Sequence, residues 1–334
     1  MKLLTLYYDE PIVLKRAVDI ALPDQLQQDT ALFYIHGGGW GGGARDIFHY
    51  QLEYFSQQGF LCASAGYRLA PAAKMNEQLT DASAGYQRFW QYIHEQELPI
   101  RQVIVIGSSA GAHLAALLCL RQDLPHNMPQ LHRSAAAQHT PPSSVSPSST
   151  TASSTSSSSA PARSTLSSSA ASTDSSHQAA EKTLSHQALL DGFTAPPPAA
   201  CIFLNGPGTL EPWPNMNGDI RRSIESALGM SYDDYDANPE KFREVSPLSL
   251  VGPHVPDMWF IVVGLEQFFP HEHVYELSER VREVHSKSEV VLIAEAEHGF
   301  LYGVHSRQQK QGLQVMKQWI SQYTKKLHEI TSHS

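Results

Sequence analysis

The sequence predicts an α/β chain: a mostly parallel central sheet with helices on both faces and a small cap inserted between two strands. Three observations predict it. Short apolar runs rich in β-branched and aromatic residues recur along the chain, and amphipathic helix-like stretches lie between them. The runs are continuously hydrophobic rather than alternating, as strands covered on both faces are.

The elements follow in order. Residues 3–8 and 12–22 read as an antiparallel start, because "IVLKRAVDIAL" mixes charges into its run. Buried strands follow at 31–36 ("ALFYIH"), 60–65, 102–106 ("QVIVI"), 200–204 ("ACIFL"), 258–263 ("MWFIVV") and 289–294. Helical periodicity spans about 46–58, 77–95, 109–121, 272–286 and 306–327, which makes the connections βαβ units.

Two stretches stand outside this alternation. Residues 133–187 contain "SSVSPSSTTASSTSSSSAPARSTLSSSAASTDSS", which cannot bury enough apolar surface to offset chain entropy and is expected to be a disordered insertion. Residues 1–132 and 188–334 then form one discontinuous domain. The insertion follows the helix that starts at Ser109, so it should leave from the sheet edge opposite that serine and not act as a lid. The cap is expected at 205–256, far longer than a minimal crossover, with Trp213, Met216, Phe242 and a helix from about Asp219.

Composition narrows the function classes. The 334 residues carry 24 basic and 33 acidic side chains, and a net charge of −9 argues against a nucleic-acid or anionic-membrane partner. No run is apolar enough to span a bilayer, and "MKLLTLYYDEP" lacks the apolar core of a signal peptide, so a soluble cytoplasmic protein is expected. Cys62, Cys119 and Cys201 sit in apolar stretches without CxxC spacing and are expected to be buried free thiols. The histidines show no metal-ligand spacing; His271 and His273 of "PHEH" read as surface residues.

The chemistry concentrates in three places. "GSSAG" at 107–111 fits G-x-S-x-G with Ser109 in the middle and Ser108 as a spacer. A strand precedes it and a helix follows, the turn that holds a nucleophile exposed at a helix N-terminus. Attack on a carbonyl creates an oxyanion, and "YIHGGGWGGG" can supply amides for it. Gly38 and Gly39, with Ala110, are the expected donors. The loop lacks the lysine of a phosphate-binding P-loop. The base is expected at His298 of "AEHGF", between the last strand and the last helix; His113 reads as packing and His36 as a hydrogen-bonder of the glycine loop.

Together these motifs resemble the α/β-hydrolase fold, and within it the hormone-sensitive-lipase-like (fold-3) carboxylesterases. "HGGGW" at 36–40, "GYRLAP" at 66–71 with Asp81, "GSSAG", "NPEKFREVSPLS" at 238–249 and "EHGF" at 297–300 occur in that family's order. The resemblance implies a serine esterase acting through an acyl-enzyme on small esters, with no metal or organic cofactor, and it is compatible with a homodimer. One position departs from it. The family's acid is expected three residues after Gly264, where this chain has Gln267, which cannot be anionic. Glu266 takes the role if the register changes by one residue; Glu272, or a site without a strong carboxylate, are the alternatives. Tyr67, Arg68 and Asp81 match family positions at the sheet edge, and an internal Arg68–Asp81 ion pair is expected. An arylformamidase-like amidase and a carbohydrate de-acetylating or feruloyl esterase fit the same fold, as does a catalytically weakened ligand-binding protein, which Gln267 would favour.

Overall fold

In the computed structural model, eight strands form one sheet in the order β1-β2-β4-β3-β5-β6-β7-β8. They are β1 (Lys2–Tyr7), β2 (Ala17–Leu22), β3 (Thr30–Ile35), β4 (Cys62–Ala65), β5 (Gln102–Ser108), β6 (Ala200–Leu204), β7 (Asp257–Leu265) and β8 (Ser288–Glu297). Pairings β1–β2 and β2–β4 are antiparallel, and all those from β4 to β8 are parallel. The charged start of the chain thus makes the antiparallel edge, as its mixed pattern predicts. The structure describes residues 2–8, 12–124, 126 and 193–332, with side chains to Thr324. The chain divides into residues 1–128 with 194–334, which carry every element named here, and residues 129–193. The expected disorder of 133–187 lies outside the described residues.

Helices cover both faces. They are α1 (His49–Ser56), α2 (Met75–Glu95), α3 (Ala110–Leu120), α4 (Gly218–Leu228), α5 (Pro239–Arg243), α6 (Pro247–Leu250), α7 (His271–Glu283) and α8 (Arg307–Ser332). On one face Ile104, Ile106, Ile202, Leu204, Ile261 and Val263 pack with Leu52 and Phe55 of α1 and Leu313, Met316 and Trp319 of α8. On the other, Phe33 meets Tyr86 edge-on at 5.4 Å and stacks on Phe89, both from α2. Burying each such side chain contributes about 1.5–3 kcal/mol, which is why β5 and β6 are apolar at nearly every position. Strand β8 lies at the sheet edge, and Leu292 there is 48% exposed. Cys62, Cys119 and Cys201 are buried thiols outside any disulfide, as expected. No described helix is long and apolar enough to cross a membrane.

Two strands run further than their apolar cores suggest. β7 continues to Leu265 and β8 to Glu297, because their pairing resumes beyond an irregularity between Val263 and Leu265, with Leu265 opposite Glu297. Glu266 and His298 are therefore the next residues of two neighbouring strands.

Candidate active site

The nucleophile candidate is held by backbone strain at the end of β5. Ser109 has φ 57° and ψ −124°, a conformation an L-residue adopts only under constraint. Its amide donates to Leu204 O at 2.9 Å, and its carbonyl accepts from Ala112 N and His113 N. Both flanking glycines are required by close approach: a side chain on Gly107 would strike the backbone of Gly111, and one on Gly111 the carbonyls of Ile35 and His36. Ala110 opens α3, so its amide is among the first-turn donors that have no acceptor within the helix. Ser108 stays inside β5, fully buried.

The glycine loop after β3 packs directly against this turn. A Cβ on Gly37 would lie 3.1 Å from the Cβ of Ser109. The loop closes through Gly42 N donating to Gly38 O at 2.8 Å. Trp40 anchors it. Its side chain is fully buried, its carbonyl accepts from Ala70 N and from Gln78 Nε2, both at 2.9 Å, and its indole N–H donates to His113 Nδ1 at 3.3 Å. His113 Nε2 in turn donates to Val245 O at 2.6 Å. His113 is thus more than packing, since it ties the glycine loop to the segment between β6 and β7. Burial lowers its pKa to about 4, the hydrogen bond to Val245 acting weakly the other way. His36 meets its expectation: Nδ1 lies 2.8 Å from Gly37 O, and the ring stacks on Tyr67 at 4.2 Å. The Arg68–Asp81 ion pair is also present, with Nε–Oδ2 at 2.8 Å and Nη2–Oδ1 at 2.9 Å, and Arg16 joins Asp81 from the other side at 2.9 Å.

Three side chains from distant parts of the chain converge at the C-terminal edge of the sheet. His298 Nε2 lies 2.8 Å from Ser109 Oγ, and its Nδ1 lies 2.8 and 3.0 Å from the two carboxylate oxygens of Glu266. Nδ1–H therefore donates to the carboxylate and Nε2 accepts from the serine hydroxyl. The Glu266 side chain is only 7% exposed. Burial alone would raise its pKa, but hydrogen bonds from His298 and from the amides of Phe268 and Gln267 outweigh this and hold the carboxyl below its ordinary range. Gln267 thus takes part through its backbone, and Glu272 is exposed in the first turn of α7. At the irregularity between Val263 and Leu265 one residue of β7, Gly264, stands opposite three of β8, and β7 comes so close to Ala294 that no side chain fits on Gly264.

The loop carrying His298 is fixed from several directions. Gln51 Nε2 donates to Leu301 O, and Gln309 Nε2 donates to Phe300 O at 2.8 Å. Phe268 and Phe269 wall the imidazole, with ring centroids at 4.8 and 5.6 Å.

The model of the BD-FAE family matches residues 18–281, most of the chain. The chain belongs to the BD-FAE family. The matched span of this BD-FAE member contains the glycine loop, Ser109 and Glu266 but stops short of His298, whose place beside them rests on the geometry above. Arylacetamide deacetylase of Bos taurus is 31% identical over 121 residues, covering 32% of this chain and 30% of that protein. Alignments to the curated relatives span between 12% and 30% of their lengths. Among solved structures, esterase B of Lactobacillus rhamnosis superposes with a TM-score of 0.67 at 16% identity, covering 100% of this chain and 89% of that one. Propionate-bound esterase 2 of Thermogutta terrifontis gives 0.60 at 17% identity over 96% and 94%. These likenesses establish the α/β-hydrolase fold.

Sequence reasoning misplaces one pair and misses others. His273 is not a surface residue, being buried against Trp213 with ring centroids at 4.9 Å, whereas His271 is half-buried at the start of α7, where its Nε2 donates to Val263 O at 2.8 Å. The α7 helix carries His273 inward, a placement the polar string "PHEH" hides. The sequence does not mark Asn205, Phe268 or the Trp40–His113 bond. Their only local signal is an aromatic pair at 268–269 and an asparagine directly after an apolar strand.

Proposed function

We propose that the protein is a serine hydrolase that cleaves small carboxylic esters through an acyl-enzyme. The observation that carries this reading is the hydrogen-bonded array Ser109 Oγ, His298 Nε2, His298 Nδ1, Glu266, with 2.8 Å at both contacts. Ser109 Oγ adds to the ester carbonyl carbon as its proton passes to His298 Nε2. The oxygen that becomes negative accepts from the amides of Gly38, Gly39 and Ala110. The carbon–oxygen bond to the alcohol then breaks as the imidazolium gives its proton to the leaving oxygen. Water attacks the resulting serine ester, His298 removes its proton, and Ser109 leaves with that proton restored. Glu266 holds the imidazole in the reactive tautomer and stabilises the imidazolium.

Residues 205–256 supply the cap in this reading, with α4 facing the glycine loop through Ser223. A structural neighbour is described with propionate and with butyrate bound, which supports short acyl chains as first probes. The binding-protein alternative draws on Gln267 and the Ser-rich stretch, and the carboxylate of Glu266 beside His298 speaks against the first of these. An arylformamidase-like amidase would use the same groups.

The test is hydrolysis of p-nitrophenyl acetate and butyrate, beside an N-formyl aryl amine, by the wild type, Ser109→Ala and His298→Ala, with fluorophosphonate labelling. Turnover and labelling by the wild type, lost together in Ser109→Ala, are expected. A wild type that neither turns over nor labels overturns the proposal. Faster turnover of the formyl amide than of both esters moves it to the amidase.

A further inference from the structure

His298 has a second partner on Nδ1. Asn205 follows β6 directly, is 3% exposed, and its amide donates to Ile261 O at 2.8 Å. Its carboxamide faces two N–H donors, His298 Nδ1 and Gly299 N, both at 3.2 Å, and one acceptor, Leu204 O, at 3.2 Å. Only the orientation with Oδ1 toward the donors and Nδ2 toward Leu204 O satisfies all three. In that orientation one oxygen accepts from the ring of the base and from the backbone of the next residue, while the amide nitrogen grips the strand that also accepts from Ser109 N. One carboxamide thereby links β6, whose Leu204 carbonyl also accepts from Ser109 N, to the loop holding the histidine.

We infer that Asn205 is a positioning residue for His298: its Oδ1 is a second acceptor for Nδ1–H and pins Gly299, so the ring keeps its tautomer and direction without depending on Glu266 alone. This rests on the esterase reading above only where turnover is measured. Asn205 has φ 42°, and asparagine is one of the few side chains that tolerates positive φ. A purely structural role is therefore the rival, and it makes the opposite prediction for glycine. Glycine adopts this backbone without strain but offers no acceptor. Aspartate keeps the size and the oxygen, adds a charge and loses the bond to Leu204 O.

The experiment compares the wild type, Asn205→Gly, Glu266→Ala, Asn205→Gly/Glu266→Ala and Asn205→Asp/Glu266→Ala, alanine leaving no acceptor at 266. Thermal melting establishes folding, kcat and KM are measured on p-nitrophenyl butyrate, and the downfield proton resonance of His298 Nδ1–H is followed by NMR. Asn205→Gly is expected to fold and to lose about tenfold in kcat with KM unchanged, the worth of one buried hydrogen bond. The Nδ1–H resonance should survive in Glu266→Ala and vanish in Asn205→Gly/Glu266→Ala. Asn205→Asp should restore at least about tenfold of the activity lost in Glu266→Ala, because a carboxylate then faces Nδ1 from the other side. A folded Asn205→Gly with wild-type kcat overturns the inference, as does a resonance that persists in Asn205→Gly/Glu266→Ala. If the wild type itself hydrolyses no ester, the esterase reading falls, and the resonance in the same variants still decides Asn205.

Discussion

Adding one methyl group at Gly264 should disable the site from within the sheet. An alanine Cβ there would stand 2.7 Å from the carbonyl carbon and 2.8 Å from the Cα of Ala294, and closer still to its carbonyl oxygen. Carbon atoms in contact need about 3.5 Å, so the two strands must separate locally by roughly 0.7 Å or more. No flexible side chain can absorb this, because all three obstructing atoms belong to the backbone of β8. Gly264 precedes Glu266 by two residues and Ala294 precedes His298 by four, so the displacement falls between the acid and the base. Their contact is 2.8 Å, and a misplacement near 1 Å is enough to cost about 10²-fold in rate. Overpacking should destabilise the fold by about 1–3 kcal/mol as well. Gly264→Ala is therefore expected to lose about 100-fold or more in kcat on p-nitrophenyl butyrate while remaining folded at 25 °C. Gly252→Ala is the matched control, since its new Cβ would meet only Leu250 O, at 4.0 Å. Active-site titration with a fluorophosphonate separates slow chemistry from loss of folded protein. A Gly264→Ala protein with near-wild-type kcat per labelled site refutes the claim that this bulge aims Glu266.

The glycine loop should tolerate substitution unequally. Gly38 has φ 119° and a Cβ there would lie 2.5 Å from Gly42 C, whereas Gly39 has φ 58° and would meet the Ser223 hydroxyl at 3.3 Å. Gly38→Ala should lose about 100-fold or more in kcat and melt lower, while Gly39→Ala costs about 1–2 kcal/mol of strain and stays within about tenfold; equal losses would contradict the loop geometry. Acid should unfold the protein early. Burial lowers His36, His113 and His273 to about 4, against about 6.5 in the unfolded chain. Between those values the unfolded chain binds more protons, so stability is full above pH 6.5 and falls as pH drops toward 4. Three such groups give a slope of about 4 kcal/mol per pH unit at its steepest. Melting temperature measured from pH 7.5 to 4.5 should hold level above pH 7 and fall steeply below pH 6, and a flat profile to pH 5 would show that these rings gain protons without unfolding.

The candidate nucleophile and the candidate base could be read from the chain because each is specified by its immediate neighbours. A strand, a glycine on either side and a helix start are all local, and they define the turn at Ser109. The same holds for His298, one residue past the end of a strand. The candidate acid was only half legible, since spacing from Gly264 leads to Gln267, a side chain without charge. What selects Glu266 is the pairing of Leu265 with Glu297, a property of two strands separated by helix α7. Hydrophobic pattern locates strands by their apolar cores, and here it stops at 263 and 294, short of the polar ends that carry the chemistry. The same limit hides Asn205 and His113. Each acts through partners far along the chain, Asn205 on His298 and His113 on Trp40 and Val245, and no local pattern records a contact of that range. Polarity misled at 271 and 273 for the converse reason. A histidine-rich string reads as solvated until α7 forms: His273 then packs on Trp213, and half-buried His271 bonds to Val263 O. The residues legible in advance are thus those that would make and break bonds, while the residues that hold them in register are set by the sheet, which is why a methyl group at Gly264 is a sharper probe of the site than a change at the histidine itself.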